Sequence, residues 1–228
     1  MKPIEVALDY PVRSLKKVLV DMAIIAEVKY ATPSEGNLGI SHDASYLARE
    51  YEALGAAAIS CLTEPKYFEG DIEYISRIRS ACSLPVLMKD FIVDERQITA
   101  GRQAGADAFL LITEMLSIEE CERLFLFGKG RGMDCLVEVH GKDGLEKALY
   151  IGADIIGVNV RNLSTLKVHP NLHEEMIGHI PSGITKVAES SITSGRRIRE
   201  LKDIGYDAAL VGRAMANNQT RLDVFSCG

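Results

Sequence analysis

Short apolar runs recur along the chain, and most are continuous rather than alternating with polar residues. Continuous runs of this kind are typical of parallel strands that are covered on both faces. We therefore predict eight strands, at residues 23–29, 57–61, 85–89, 107–112, 135–139, 154–158, 185–189 and 207–211.

Segments with the spacing of amphipathic helices separate these runs, for example at 43–54, 71–81, 94–104 and 194–204. Helical segments end in related signals, which are LGA at 54–56, AGAD at 104–107, IGAD at 151–154 and IGYD at 204–207. A glycine here suits the left-handed residue that closes a helix, and the next apolar run follows at once. The repeated order of helix, glycine and strand predicts βα units.

Eight strands with about eight helices in one chain of 228 residues predict an α/β fold, the (β/α)8 TIM barrel. A doubly wound sheet is the alternative, but it usually has fewer strands and a glycine-rich loop after the first one. No GxGxxG or P-loop motif follows residue 29, which disfavours that alternative. No linker or change of composition divides the chain, so we expect residues 1–228 to form a single domain.

Charged and polar residues stand at the ends of the predicted strands, where the active sites of such barrels lie. Glu27 and Lys29 are two residues apart in the first strand, so they share one face. In a closed barrel a face that carries charges is expected to point inward near the mouth. The other strand ends carry Lys89, Asp90, Glu138, Asn159, Arg161, Glu189, Ser190, Gly212 and Arg213.

Each of these charges, taken alone, is equally compatible with a solvated strand end or a structural ion pair. Together they predict a ring of acids, bases and anion-binding groups suited to sugar or carbonyl chemistry. The segments after the last two strands, AESSITSG (188–195) and LVGRAMA (210–216), are small, polar and glycine-containing. Barrels often bind phosphate there, although serine and glycine also form ordinary turns.

Composition narrows the possible partners. The formal net charge of −6 argues against general affinity for nucleic acid or anionic membranes, and an anionic substrate would need local positive groups. No apolar leader or membrane-length segment is present, so we expect a cytoplasmic protein without a membrane partner. Five cysteines without a CxxC spacing predict reduced thiols rather than a disulfide framework or a metal site. They are Cys61, Cys82, Cys121, Cys135 and Cys227.

The chain resembles the indole-3-glycerol phosphate synthase family in stretches that run in the family's order from the first strand to the eighth. The stretches are AEVKYATPSEG (26–36), LTEPKYFEGDIEYISRIR (62–79), LPVLMKDFIVDERQI (84–98), AGADAFLLI (104–112), LVEVH (136–140), IGADIIGVNVRNL (151–163), AESSI (188–192) and LVGRAM (210–215). The Lys-Asp-Phe segment with its preceding proline, and the Asn-Val-Arg-Asn-Leu segment, are the most specific to the family.

The resemblance implies closure of 1-(2-carboxyphenylamino)-1-deoxyribulose 5-phosphate to indole-3-glycerol phosphate, with loss of CO₂ and water and with no cofactor or metal. It implies that Lys89 is the general acid at the ketone oxygen, that Lys29 holds the substrate carboxylate, and that Glu138 is the base in dehydration. Glu27, Asn159 and Glu189 would orient the substrate and the lysines. The remaining implied contacts are Phe91, Arg161 and Thr32 with the substrate, and Ser190, Ser191, Gly212 and Arg213 with its phosphate.

Some positions depart from the family's usual pattern. Ser191 stands where glycine is usual, Arg213 where a small or acidic residue is common, and Val160 where a polar residue is usual. About 22 residues precede the first strand, too few for the full helical segment that covers the mouth in the family, and residues 13–17 resemble its last part. We therefore expect a shortened N-terminal extension.

Two other functions remain open from the sequence. An isomerase of the same pathway, phosphoribosylanthranilate isomerase, would be expected to use a cysteine and an aspartate, and Cys61 has no such partner in the pattern. A barrel that binds a sugar phosphate without turnover is supported only by the short N-terminus. For any of the three we expect an anionic small-molecule ligand and a monomer or weak homo-oligomer.

Overall fold

Eight parallel strands close into a barrel in which each strand pairs with its neighbours in chain order and the last pairs with the first. The computed structural model describes residues 10–163 and 165–226, with residues 218 and 219 described by their backbone alone. Each strand begins and ends within one residue of the run that predicted it, which confirms the (β/α)8 barrel. The strands are β1 (Ala23–Val28), β2 (Ala58–Leu62), β3 (Val86–Lys89), β4 (Ala108–Ile112), β5 (Asp134–Val139), β6 (Ile155–Asn159), β7 (Thr185–Glu189) and β8 (Ala208–Val211).

A helix follows every strand and packs outside the barrel. These helices are α1 (Ala44–Ala53), α2 (Glu73–Ala81), α3 (Glu95–Ala104), α4 (Ile118–Lys129), α5 (Lys142–Tyr150), α6 (Leu172–Ile177), α7 (Gly195–Ile204) and α8 (Asn218–Phe225). The four helices predicted from amphipathic spacing are α1, α2, α3 and α7. Among the described residues, none of the helices is long and apolar enough to span a lipid bilayer.

Short elements fill the connections between strands and helices. The loop after β1 forms a small hairpin from Ala31–Thr32 and Gly36–Asn37. Single helical turns lie at Leu15–Val18, Pro65–Phe68, Thr113–Met115 and Arg213–Ala216. All except the first of these turns follow the carboxyl ends of strands, so they add to the rim of the barrel mouth.

Side chains alternate between the barrel interior and the helix layer along each strand. In β1, Ile24 and Ala26 are buried against the helices, whereas Ile25 is buried inside the barrel. Leu87 and Leu136 belong to the same interior cluster as Ile25. Parallel strands covered on both faces have no polar side to reveal their period, which is why their sequences are continuous apolar runs.

The helical turn Leu15–Val18 closes the barrel at the amino ends of its strands. Leu15 is completely buried and joins the interior cluster. The backbone N–H of Arg13 donates to Asp107 at 2.8 Å, and that of Lys16 donates to Asp134 at 3.0 Å. Residues 13–17 were expected to be the remnant of a segment over the mouth. They lie instead at the opposite end of the barrel, as their hydrogen bonds to aspartates at the starts of strands show.

The aspartates of the repeated Gly-Ala-Asp signal tie strands together at this end. Asp107 accepts hydrogen bonds from the guanidinium of Arg79 at 2.6 Å and from the backbone N–H of Val86 at 2.9 Å. The glycine two residues earlier, Gly105, has φ +104°, a conformation that a residue with a side chain rarely adopts. The signal therefore ends the helix and anchors the following strand.

We expect the Asp107→Ala substitution to lower the free energy of unfolding by about 3–5 kcal/mol, because it leaves the buried Arg79 guanidinium without its partner. Asp203→Ala, at an exposed position of α7, should change it by less than about 0.5 kcal/mol. Urea unfolding followed by circular dichroism measures both. Equal, small changes for the two variants would show that this ion pair does not hold the closed end.

Candidate active site

A cavity of about 480 Å³ opens at the carboxyl ends of the strands, within the barrel mouth. Part of its wall is apolar, formed by residues such as Leu110, Ile112 and Leu163. Of the site residues predicted from sequence, all but one line this cavity. They are Glu27, Lys29, Thr32, Lys89, Phe91, Glu138, Asn159, Arg161, Ser190, Ser191, Gly212 and Arg213. The remaining residue, Glu189, is completely buried and bonded to the wall residue Lys89.

Glu27 and Lys29 both point into the mouth, the orientation that their spacing in β1 predicts. The ammonium of Lys29 donates to the Glu27 carboxylate, whose other oxygen lies 3.5 Å from Lys89 Nζ. Burial alone would raise the pKa of Glu27, but the two lysines outweigh it and hold that pKa below its usual value. A Cβ at Gly212 would collide with the Glu27 carboxylate and lie 2.7 Å from Lys29 Nζ, so the pair fills the space that the glycine leaves.

Lys89 lies at the centre of three buried carboxylates. Its Nζ is 2.9 Å from Glu189 Oε2, 3.5 Å from Glu27 Oε2 and 3.9 Å from Glu138 Oε2. Burial would lower the pKa of Lys89, but the three carboxylates together raise it above its usual value. The side chain is therefore an ammonium that can donate a proton or hydrogen bond into the cavity.

A chain of hydrogen bonds fixes Glu138 on the neighbouring wall. The amide of Asn159 donates to Glu138 Oε1 at 3.0 Å, and the backbone N–H of Arg161 donates to Asn159 Oδ1 at 3.0 Å. The second bond determines which end of the Asn159 amide faces the carboxylate. The Arg161 guanidinium donates to the carbonyl oxygen of Leu166 at 3.0 Å and so braces the loop after β6.

Glu189 occupies the floor of the site, where water does not reach it. Burial and the neighbouring Glu138 carboxylate raise the pKa of Glu189 to about 7, although Lys89 acts in the opposite direction. Its Oε1 has no hydrogen-bond partner among the described residues, and a Cβ at Gly157 would collide with that oxygen. A carboxyl group with a raised pKa, beside a second carboxylate and a lysine, is suited to acid–base chemistry.

Aromatic side chains form one side of the mouth. The ring of Phe91 lies 6.1 Å from that of Phe68 and 6.4 Å from that of Tyr67, measured between centroids. Phe68 and Phe91 both line the cavity. Phe68 was missed as a site residue in the sequence, because it lies in the helical turn after β2 and only the fold brings it to Phe91. An apolar wall opposite a charged cluster suits a ligand with an aromatic ring.

Ser190 and Ser191, after β7, both adopt the left-handed conformation, with φ +66° and +57°. Such a conformation is uncommon for residues with a side chain, and strained backbone of this kind clusters at active sites and ligand-binding loops. Across the rim, the Arg213 guanidinium forms an ion pair with Glu35, in the loop after β1. Ser190, Ser191, Gly212 and Arg213 all line the cavity, so the segments after β7 and β8 face it together.

Two further residues near the site, His140 and Glu114, carried no assigned role in the sequence. His140 follows β5, and its Nε2 lies 3.3 Å from Glu138 Oε1. Its Nδ1 lies 2.8 Å from a Glu114 carboxylate oxygen. The sequence did contain a signal for His140, because it stands two residues after Glu138 and so shares its face of the strand. The contact with Glu114 depends instead on the pairing of β4 with β5, which the sequence pattern does not show.

Solved structures with related folds include the N-acetylmannosamine-6-phosphate 2-epimerase from Clostridium perfringens, with a TM-score of 0.71 and 14% identity over 95% of this chain and 97% of that one. A thiamine phosphate pyrophosphorylase from Pyrococcus furiosus has a TM-score of 0.67 and 17% identity, over 94% and 96% of the two chains. At such low identity these likenesses show the barrel fold alone.

Sequence relatives are more informative. An indole-3-glycerol phosphate synthase from Campylobacter jejuni is 44% identical over 88% of this chain and 78% of its own length. Proteins of the same name from Sulfurimonas denitrificans and Acetivibrio thermocellus are 46% and 45% identical, each over 84% of this chain and over 73% and 74% of their own lengths. The sequence model of this family matches residues 6–224, and the chain therefore belongs to the indole-3-glycerol phosphate synthase family.

Proposed function

We propose that the protein converts 1-(2-carboxyphenylamino)-1-deoxyribulose 5-phosphate to indole-3-glycerol phosphate, with Lys89 as the acid of the ring closure. The observation that carries this proposal is the Lys89 ammonium, held in the mouth by three carboxylates and facing an apolar wall. The reaction needs a proton donor for a ketone oxygen beside a surface for an aryl ring, and the cavity offers both. Such a substrate is a water-soluble metabolite, in keeping with a cytoplasmic site of action.

Ring closure forms a bond between an aryl carbon and the ketone carbon, and the electron pair of the carbonyl moves to its oxygen. The Lys89 ammonium stabilises this developing charge and supplies the proton that the oxygen takes up. Lys29, on the adjoining strand end, is placed to pair with the carboxylate of the substrate. When that carboxylate leaves as CO₂, its bonding electrons restore the aromatic ring.

Dehydration then completes the indole. A hydroxyl leaves as water with a proton from an acid, while a base removes the proton from carbon. We assign the base to Glu138, whose carboxylate is fixed by Asn159 and lines the cavity. Glu189 is a neighbouring carboxyl group that can hold a proton near neutral pH, so the pair supplies an acid and a base in contact with Lys89.

The substrate phosphate is assigned to the rim formed by Ser190, Ser191, Gly212 and Arg213. Support comes from the unusual backbone of the two serines and from the Arg213 guanidinium, which suits a phosphate. Phe91 and Phe68 are assigned to the aryl ring, and Thr32 and Arg161 to the remaining wall. This placement puts the anionic end of the substrate across the mouth from the aromatic side chains.

The isomerase alternative receives no support from the site. Its expected cysteine, Cys61, is completely buried and packs in the cluster between the barrel and the helices. Burial also raises the pKa of this thiol, so it does not provide a thiolate. The second alternative is a barrel that binds a sugar phosphate without converting it. An assay of the purified protein that follows indole fluorescence distinguishes this alternative from a synthase, because binding without product would favour the non-catalytic barrel.

We expect Lys89→Ala to fold and to lose about 10²- to 10⁴-fold in kcat, because the developing oxyanion loses its proton donor. Lys17→Ala, an exposed lysine at the closed end of the barrel, is the matched control and should keep its activity. Indole fluorescence measures turnover, and circular dichroism verifies folding. Near-full activity of Lys89→Ala would refute its role as the acid.

We expect Glu189→Gln to change how stability depends on pH. Because the pKa of Glu189 is raised from 4.5 to about 7, the folded protein retains a proton between these pH values that the unfolded chain has released. The free energy of unfolding of the wild type therefore decreases as pH rises through this window. Glu189→Gln has no carboxyl group at this position, so its free energy of unfolding lacks this decrease.

The measurement is urea unfolding of both proteins at a series of pH values. The variant should gain stability relative to the wild type as pH rises from 4.5 to 7. Glu122→Gln, at an exposed position of α4, provides the control and should follow the wild type in parallel. A constant difference between Glu189→Gln and wild type would contradict the raised pKa.

Ser191→Gly tests the backbone of the phosphate rim. A left-handed residue with a side chain costs about 1–2 kcal/mol, so the glycine variant should be more stable by roughly 1 kcal/mol. Ser80→Gly, in the exposed last turns of α2, should instead lose about 0.5–1 kcal/mol. Thermal unfolding compares the two. A loss of stability in both would show that residue 191 is not strained.

A further inference from the structure

His140 lies on the far side of Glu138 from Lys89, at the end of β5. Its Nε2 is 3.3 Å from Glu138 Oε1, the oxygen that also accepts a hydrogen bond from Asn159. The other oxygen, Glu138 Oε2, faces Lys89 Nζ at 3.9 Å. The Nε2 of His140 makes no aligned hydrogen bond within the described residues, and with the imidazole protonated its contact with Glu138 is an ion pair.

Glu114 clamps His140 from the neighbouring strand end. One carboxylate oxygen lies 2.8 Å from Nδ1, and the other accepts the backbone N–H of His140 at 2.9 Å. The hydroxyl of Thr113 lies within 3.1 Å of Glu114 and within 3.0 Å of the Glu138 carbonyl oxygen. A Cβ at Gly144 would lie 2.7 Å from a Glu114 oxygen, so the first turn of α5 leaves room for this carboxylate.

The surroundings of His140 favour its charged form. Its side chain is only 9% exposed, and burial by itself would lower the pKa. The hydrogen bond to Glu114 and the charges of Glu138, Glu114 and Glu189 outweigh burial and raise the pKa above its usual value. Other charged or titratable groups nearby are Lys89 beyond Glu138, Lys147 bonded to the Thr113 carbonyl, and Lys167 and His169 in an adjoining cavity of about 310 Å³.

We propose that His140, clamped by Glu114, is a positioning residue that holds the Glu138 carboxylate in place as the base of the site. The inference rests on the proposed function, because it concerns the base of that reaction. Both oxygens of the Glu138 carboxylate have neighbours: His140 and Asn159 contact Oε1, and Lys89 faces Oε2.

His140→Gln tests this role, because it keeps a polar side chain of similar length and removes the positive charge. We expect kcat to fall roughly 10- to 100-fold, the effect of losing a charged partner, with KM changed less than about threefold. The acid limb of the pH profile of kcat should move to higher pH, because the carboxylates of the site lose a neighbouring cation. Thermal unfolding is measured for each variant.

Two further variants complete the experiment. Glu114→Gln keeps the shape of the clamp but loses its charge, so it should shift the acid limb in the same direction by a smaller amount. His179→Gln, at an exposed histidine just after α6, is the matched control and should leave kcat and the pH profile unchanged. A lower kcat with an unmoved acid limb in both clamp variants would mean a structural role only and would overturn the proposal.

The wild-type assay separates this inference from the proposed function. If wild type forms no indole-3-glycerol phosphate, the proposed function fails and the activity of the variants carries no information. Histidine titration by NMR then tests, without any activity assay, whether His140 is paired with the carboxylates. In wild type the His140 imidazole should titrate above the usual value for histidine, and in Glu114→Gln its pKa should fall. An unshifted titration in wild type would overturn the clamp whatever the activity.

Discussion

The site depends on the need to neutralise charges that the barrel withdraws from water. Lys89 and Lys29 lie among the carboxylates of Glu27, Glu138 and Glu189, and removing either kind of charge would leave the other buried and unpaired. The same balance shifts their pKa values: the carboxylates raise that of Lys89, the lysines lower that of Glu27, and burial with Glu138 raises that of Glu189 to about 7. Structural neutralisation and acid–base function thus have one origin.

Barrel closure makes this balance possible, because it brings charged groups from the ends of four different strands close together. Lys89 of β3 and Glu189 of β7 are far apart in the chain, yet their charged groups are 2.9 Å apart. Glycines make room for the charged groups, since a Cβ at Gly157 would collide with Glu189 and one at Gly212 with Glu27. The site therefore requires glycine at these two positions as well as the charged side chains.

Stability and function are separated along the barrel axis. At the amino ends of the strands, Asp107 and Arg79 form a buried ion pair that closes the structure. At the carboxyl ends, the serines at 190 and 191 adopt strained backbone conformations, and one oxygen of Glu189 accepts no hydrogen bond from the described residues. Rigid packing between these ends allows the mouth to retain such unfavourable features, which a site for anions and proton transfer uses.

The sequence by itself determined the order of strands and helices, because continuous apolar runs and glycine-terminated helices are local patterns. It also indicated that Glu27 and Lys29 point inward, since strand alternation is local too. Only the tertiary structure decided which carboxylates surround Lys89, where Phe68 lies, and that Glu114 clamps His140. It also placed residues 13–17 at the closed end of the barrel. Each of these is a contact between distant segments, and its distance depends on barrel register and packing that no local pattern encodes.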